Sequence, residues 1–368
     1  MVTPDTSANQ PEGRALLRSV LRGEGALGAR LARIRAFSKG VRTSEYHITS
    51  ACNLRCKGCW YFEYGFDKQA KELASAEAWG MLAKQQAEDR GITSALLIGG
   101  EPTLYTDRIA AFVEQLRYVT ISSNGLRGLP REGFENVAVA LSLFGGDGRD
   151  DDLRAIKPGG QRFTGLFDQV LKNYKNDERA TFVFAADPEA LSAIEPTIRR
   201  IKDNGNLATF NYYSAYGSSD PLRRSLEKAL LDELLAVRAE YPETVINTPY
   251  SLTTLITGRT HWAQFGYDVC PSVSSDHPAH QDRLENGNPV LPSFNSYSSD
   301  GESLNFCCAS AKCEGCRDSQ AVFSWLLLSM RKFLSSPASL ETWMDLAESY
   351  WRQFRWSPYH PSQSDSPL

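Results

Sequence analysis

Three cysteines, Cys52, Cys56 and Cys59, lie in the run Ala-Cys-Asn-Leu-Arg-Cys-Lys-Gly-Cys-Trp. The C-x3-C-x2-C spacing puts three thiolates on one tight loop. An iron–sulfur cube usually takes four cysteine ligands, so three leave one iron open to a small chelating molecule. Two other readings compete, since intracellular cysteine clusters commonly hold zinc and secreted ones form disulfides. A structural zinc generally needs four protein ligands, and this loop alone supplies three.

The surroundings narrow the choice. A strand-like run, Tyr46-His47-Ile48-Thr49, leads into the loop, and Trp60 follows the last cysteine. Further on, Leu96-Leu97-Ile98 ends in Gly99-Gly100-Glu101-Pro102. Glycines let a backbone approach a ligand closely, and a carboxylate or carbonyl accepts from an ammonium group. The two motifs, in this order, resemble the radical S-adenosylmethionine (radical SAM) superfamily. The resemblance implies that Cys52, Cys56 and Cys59 hold a 4Fe–4S cluster whose open iron takes the amino and carboxylate groups of S-adenosylmethionine. It also implies that Gly99, Gly100, Glu101 and Pro102 contact the methionine amino group, with Trp60 beside the cofactor.

From residue 45 onward, strand-like and helix-like segments alternate about every thirty residues, which implies βα units and a parallel sheet. The strands are expected at 45–50, 93–98, 117–122, 136–143, 179–185 and 206–213, with helices at 72–90, 105–116, 162–176 and 188–203. This pattern suits an α/β fold of either doubly wound or barrel type; the resemblance favours a partial (β/α)6 barrel of the TIM type. Within it, Ser122 and Asn124 end the third strand near the cofactor, although Asn124-Gly125 also reads as an ordinary turn. On the fourth strand Ala138, Ala140 and Ser142 share one face; small residues there leave room for a ligand, and Ser142 reaches toward ribose hydroxyls. Asn211 and Tyr212 fall where the superfamily contacts adenine, and a core tyrosine is the plain alternative.

Five further cysteines follow: Cys270, Cys307, Cys308, Cys313 and Cys316. Ser296–Ser303 reads as a hairpin around Asp300-Gly301 that delivers the chain to Cys307-Cys308. Neighbours on a strand face opposite ways, so one of that pair is expected to be spare. Zinc suits four such thiolates taken alone. Beside a radical SAM core they resemble a twitch or SPASM auxiliary domain, with cysteines enough for one additional 4Fe–4S cluster. The expected organisation is an N-terminal helical extension (1–43), the core barrel (44–215), a helical connection (216–262), the auxiliary region (263–320), C-terminal helices (321–356) and a disordered tail (357–368). Arg14, Arg18, Arg22, Arg30, Arg33 and Arg35 suggest one or two amphipathic helices with a solvated basic face.

Composition bounds the rest. The 368 residues are 42% hydrophobic and 23% charged, with net charge −4, which gives no support to a nucleic-acid substrate. Met1–Gly13 lacks the apolar run of a secretory signal, and Trp325–Leu328 is too short to span a bilayer. A cytoplasmic, metal-binding enzyme is therefore expected, with no membrane or nucleic-acid partner. The expected partners are a small-molecule substrate and an electron donor such as flavodoxin or ferredoxin. The resemblance implies, as the expected reaction, oxidation of an alcohol or amine carbon, the auxiliary cluster accepting an electron. Epimerisation, carbon–carbon bond formation, sulfur insertion and peptide modification are the enzymatic alternatives; a non-catalytic iron–sulfur or zinc protein is the alternative of another class. Glu63, Tyr64, Tyr105, Asp147, Lys157, His277 and His280 lie in loops where a general base is needed, and none stands out.

Overall fold

The computed structural model describes residues 11–73, 75–212, 221–257, 272–280, 285, 290–306 and 318–363. Cys270, Cys307, Cys308, Cys313 and Cys316 lie outside the described residues.

Six strands, β1 (Thr43–Thr49), β2 (Ser94–Gly99), β3 (Tyr118–Ser123), β4 (Val137–Leu143), β5 (Ala180–Ala186) and β6 (Leu207–Tyr212), pair in parallel and in chain order. A doubly wound sheet would reverse its order at a switch point. This one does not, so the sheet is the open wall of a partial (β/α)6 barrel. Each strand lies within two residues of its expected place, because each is a short apolar run between turn signals. Helices follow the strands: α1 (Pro11–Leu21) and α2 (Gly25–Lys39) precede β1, and α3 (Trp60–Glu63) and α4 (Ala76–Arg90) separate β1 from β2. After them come α5 (Thr106–Gln115), α6 (Asp147–Leu153), α7 (Leu166–Asn173) and α8 (Leu191–Asp203). The ends of α4 show why the helix stops where it does. The Ser75 hydroxyl accepts from the Ala78 N–H at one end, and Gly91 takes the left-handed φ of +65° at the other.

The strands separate core from site by their two-residue period. Val137, Val139, Leu141, Leu143, Phe182, Phe184 and Phe210 are buried. On the opposite, inner face Leu96, Ser122, Ala140, Ser142, Val183, Ala185 and Asn211 are all partly exposed. The registers Ser122↔Ala140, Ser142↔Val183 and Ala185↔Asn211 join them into a lane of small side chains across the sheet.

Beyond β6, α9 (Pro221–Glu240), α10 (Pro249–Thr257), α11 (Ser319–Leu328) and α12 (Pro337–Arg352) complete the helical layer. The hairpin at 296–305 forms as expected, with β7 (Ser296–Tyr297) antiparallel to β8 (Leu304–Asn305) and Gly301 at φ +72°. It also does something the sequence does not announce: β7 pairs in parallel with β1, Glu45↔Ser296, and extends the barrel sheet to eight strands.

Two expectations are corrected. Residues 357–363, expected to belong to a disordered tail, are packed. Trp356 stacks on Tyr118 at 4.5 Å, Tyr359 meets Phe37 edge-on at 5.7 Å, and Ser357 and His360 are buried. Three aromatic rings in six residues, Phe354, Trp356 and Tyr359, outweigh the Pro/Ser composition. They cover the inner face at Tyr118 and Thr120, whose hydroxyl accepts from the Trp356 indole N–H. The basic face of the N-terminal helices is not simply solvated either: Arg30 on α2 bonds Glu348 and Asp345 on α12, which fastens the first helices to the last.

Candidate functional site

The cysteine loop leaves β1 at Thr49 and crosses the end of β2. The Gly100 N–H donates to Thr49 O and the Glu101 N–H to Ala51 O, each at 2.8 Å. This contact explains the two glycines. A Cβ on Gly99, whose φ is +128°, would stand 2.3 Å from Thr49 O, and one on Gly100 would stand 2.0 Å from Ala51 O. The close approach they permit is to the cysteine loop itself.

Glu101 likewise has a role the sequence does not reveal. Its side chain is 1% exposed. Oε1 accepts from the Thr103 N–H, the Thr103 hydroxyl and the Ser123 hydroxyl, and Oε2 accepts from the Asn124 N–H at 2.7 Å. Burial pushes the carboxyl upward, opposed by those donors. Every oxygen is engaged, so the carboxylate acts as an internal clamp tying the end of β2 to the turn after β3. Within the Gly99–Pro102 segment, only backbone groups remain to meet a ligand.

Asn124, fixed by that clamp, donates from Nδ2 to Asn53 Oδ1 at 2.7 Å and reaches Cys52 Sγ at 3.8 Å. The far side of the loop is held by the chain after α6. Arg55 N donates to Ile156 O and Lys57 N to Leu153 O, both at 2.7 Å. Between them sits Arg154, 2% exposed. Its guanidinium donates to Asp150 at 2.7 Å and to Ser142 O and Asn124 O, and its backbone O lies 3.9 Å from the Cys56 sulfur.

Of the three sulfurs, Cys52 meets donors: the Leu54 N–H at 3.4 Å and the Asn124 amide at 3.8 Å. Cys56 Sγ lies 3.9 Å from Arg154 O, and Cys59 opens α3 without a side-chain cap. Burial pushes the Cys52 thiol up to about 12 and raises that of Cys59, so a metal must displace these protons to bind. The two N–H donors at Cys52 suit a ligand that keeps negative charge once bound. The three cysteines form no disulfide. Among the described residues no three His, Cys, Asp or Glu side chains converge on a single ion, as one zinc would require. A cube takes each thiolate on a different corner and needs no such convergence. The donor set therefore fits a three-cysteine cluster.

Ser122, Asn124 and Ser142 are brought to one side of this loop, on the inner face or its rim. Asn211 shares the inner face, but its amide is engaged by Asp318, at 3.3 Å, and by the Ser319 N–H. Tyr212 points to the other face, where its hydroxyl donates to Glu227 of α9 at 3.0 Å. Trp60 packs against Phe66 and the buried His47 ring. The loop candidates do not gather. Glu63 and Lys157 are exposed, Asp147 pairs with Arg200, Tyr105 lies under Arg108, and His277 and His280 pack on Phe306. Arg154 escaped the sequence reading; its only trace there is the i,i+4 pair with Asp150.

Comparison with known proteins agrees with this geometry. The radical SAM superfamily pattern matches residues 46–176. A solved structure described as native anSMEcpe with bound AdoMet and Cp18Cys peptide is 13% identical, with TM-score 0.50, covering 89% of this chain and 91% of that one. Native anSMEcpe with bound AdoMet is 14% identical, with TM-score 0.50, covering 89% and 92%. At such identities the likeness is one of fold. No curated protein matches the chain. That pattern runs from β1 to α7 on the corresponding barrel, so this part of the chain matches the radical SAM superfamily.

Proposed function

We propose that this radical SAM enzyme oxidises an alcohol or amine carbon of a small biosynthetic intermediate. Cys52, Cys56 and Cys59 would hold the 4Fe–4S cluster, and the Gly99–Pro102 backbone with Ser122, Asn124 and Ser142 would hold S-adenosylmethionine. The cofactor pair, when bound and reduced, supplies a 5′-deoxyadenosyl radical that removes a substrate hydrogen atom. The chain's residues do the rest. Glu101 and Arg154 fix the rim on both sides of the loop, the small inner-face lane admits substrate, and the aromatic floor at Trp356 keeps out water. The observation that carries this reading is the trio of thiols at the open end of a barrel lined by small residues, with Cys52 held by the Leu54 N–H and the Asn124 amide.

Four of Cys270, Cys307, Cys308, Cys313 and Cys316 hold an auxiliary 4Fe–4S cluster that accepts the substrate's electron. A flavodoxin or ferredoxin reduces the first cluster in the cytoplasm. Among the described residues no helix is long and apolar enough to cross a membrane. A second reading, modification of a peptide, draws support from the peptide bound in one structural neighbour. The test is anaerobic incubation with S-adenosylmethionine and dithionite. The proposal requires 5′-deoxyadenosine, with deuterium transfer from labelled small molecules but not from peptides. Absence of 5′-deoxyadenosine would remove the radical chemistry; transfer from a peptide would favour the second reading.

A further inference from the structure

Among the described residues, two carboxylates inside the barrel have no Lys or Arg partner. Glu45 projects from the inner face of β1 and is 2% exposed. Its Oε1 accepts from the Ser296 hydroxyl at 2.7 Å. Asp318 begins α11 beside the end of β6; its Oδ1 accepts from the Gln320 and Ala321 N–H groups, and its Oδ2 from the Asn211 amide. Neither makes a salt bridge with Lys or Arg among the described residues. Burial raises the Asp318 carboxyl, and the Glu45 charge adds to the effect.

A buried carboxylate without a counter-ion is costly, and evolution usually removes it or pairs it. A third group points into the same place. His47, two residues from Glu45 on the inner face and 1% exposed, has its Nε2 3.5 Å from Glu45 Oε1 and makes no hydrogen bond there. Trp60, Tyr61 and Phe66 surround the ring. The three groups do not converge as metal ligands do. Both carboxylates adjoin the open lane: Leu96, which pairs with Glu45, and Asn211, which bonds Asp318, are partly exposed.

We propose that this recess between β1 and β6 receives an ammonium group of the substrate. Its N–H bonds are accepted by Glu45 and Asp318, and by His47 Nε2 in the neutral imidazole. The inference deepens the reading above by choosing amine-bearing small molecules as the substrate class.

The test uses the full chain and propylammonium as the probe, with 1-propanol and ionic-strength-matched sodium chloride as controls. Propylammonium, at a concentration on the order of 100 mM, is expected to raise the melting temperature by about 3 °C, and the controls are not. Glu45→Gln keeps the Ser296 hydrogen bond through its amide oxygen and removes the charge, whereas Asp318→Asn also turns an amide N–H2 toward a donor. Glu45→Gln is expected to melt at or above the wild type without the probe and to lose the propylammonium shift. A wild type that ignores propylammonium would overturn the proposal, as would a Glu45→Gln variant that keeps the shift or melts well below the wild type. 5′-Deoxyadenosine formation by the wild type is measured separately, so failure of the radical chemistry is distinguishable from failure of the recess.

Discussion

Replacing Gly100 with alanine probes the joint between the cysteine loop and β2. The added Cβ would lie 2.0 Å from Ala51 O and 2.5 Å from Ala51 C, both backbone atoms that no rotamer change can move. The two chains must separate by about 1 Å or more to reach ordinary contact. That displacement weakens the hydrogen bonds from Gly100 N and Glu101 N, worth about 1 kcal/mol each. Overpacking adds about 1–3 kcal/mol, giving a total cost of about 3–5 kcal/mol. Cys52 follows Ala51 directly, so the sulfur moves with the strain. Gly133→Ala is the matched control: its φ is +81°, nothing lies within 4 Å, and its cost is about 1 kcal/mol. Denaturant unfolding measures both variants, and iron and absorbance after anaerobic reconstitution report the cluster. If Gly100→Ala unfolds with Gly133→Ala and binds iron like the wild type, the claim that these glycines serve the loop is wrong.

Glu101→Gln turns an amide N–H2 toward donors that now meet a carboxylate, and should cost about 2–4 kcal/mol in urea unfolding while lowering S-adenosylmethionine affinity in calorimetry. Trp356→Ala should cost about 3 kcal/mol by thermal melting, a loss that a free tail would not show. His360 is pushed down to about 4 by burial, with nearby Arg355 adding to the effect, while Nδ1 accepts from the Ser362 N–H. The unfolded chain binds this proton below about 6.5, so the stability contributed by the neutral ring is present above that pH and is lost as pH falls toward about 4. His360→Gln should therefore flatten the melting temperature over this window, and an unchanged slope would exclude the assignment. Cys313→Ala with Cys316→Ala should lower iron from about eight atoms per chain to about four; zinc in the preparation instead would rule out the second cluster.

The strands were legible because each is an apolar run with turn signals at both ends, and consecutive pairing needed only the superfamily resemblance. Helix α6 was not legible, since Asp147–Leu153 reads as an acidic loop until Asp150 is seen accepting from the Gly146 N–H. The cysteine trio was legible through its spacing read together with the Gly99–Pro102 segment that follows it. The meaning of Gly99, Gly100 and Glu101 lay instead in contacts to residues fifty positions earlier and about twenty later, which no local pattern encodes. His47 looked like one more strand residue, and only the two-residue alternation, once β1 was placed in the sheet, turns it inward beside Glu45. Tyr212 shows the reverse: the same alternation carries it away from Asn211 and into the helical layer.

The hairpin β7–β8 is bonded to the β1 border of the sheet, and Asp318 is bonded to Asn211 at the β6 border. Phe306 and Asp318 are thus anchored toward opposite margins of the six-stranded wall, so the hairpin and the start of α11 brace the mouth of the barrel from two sides.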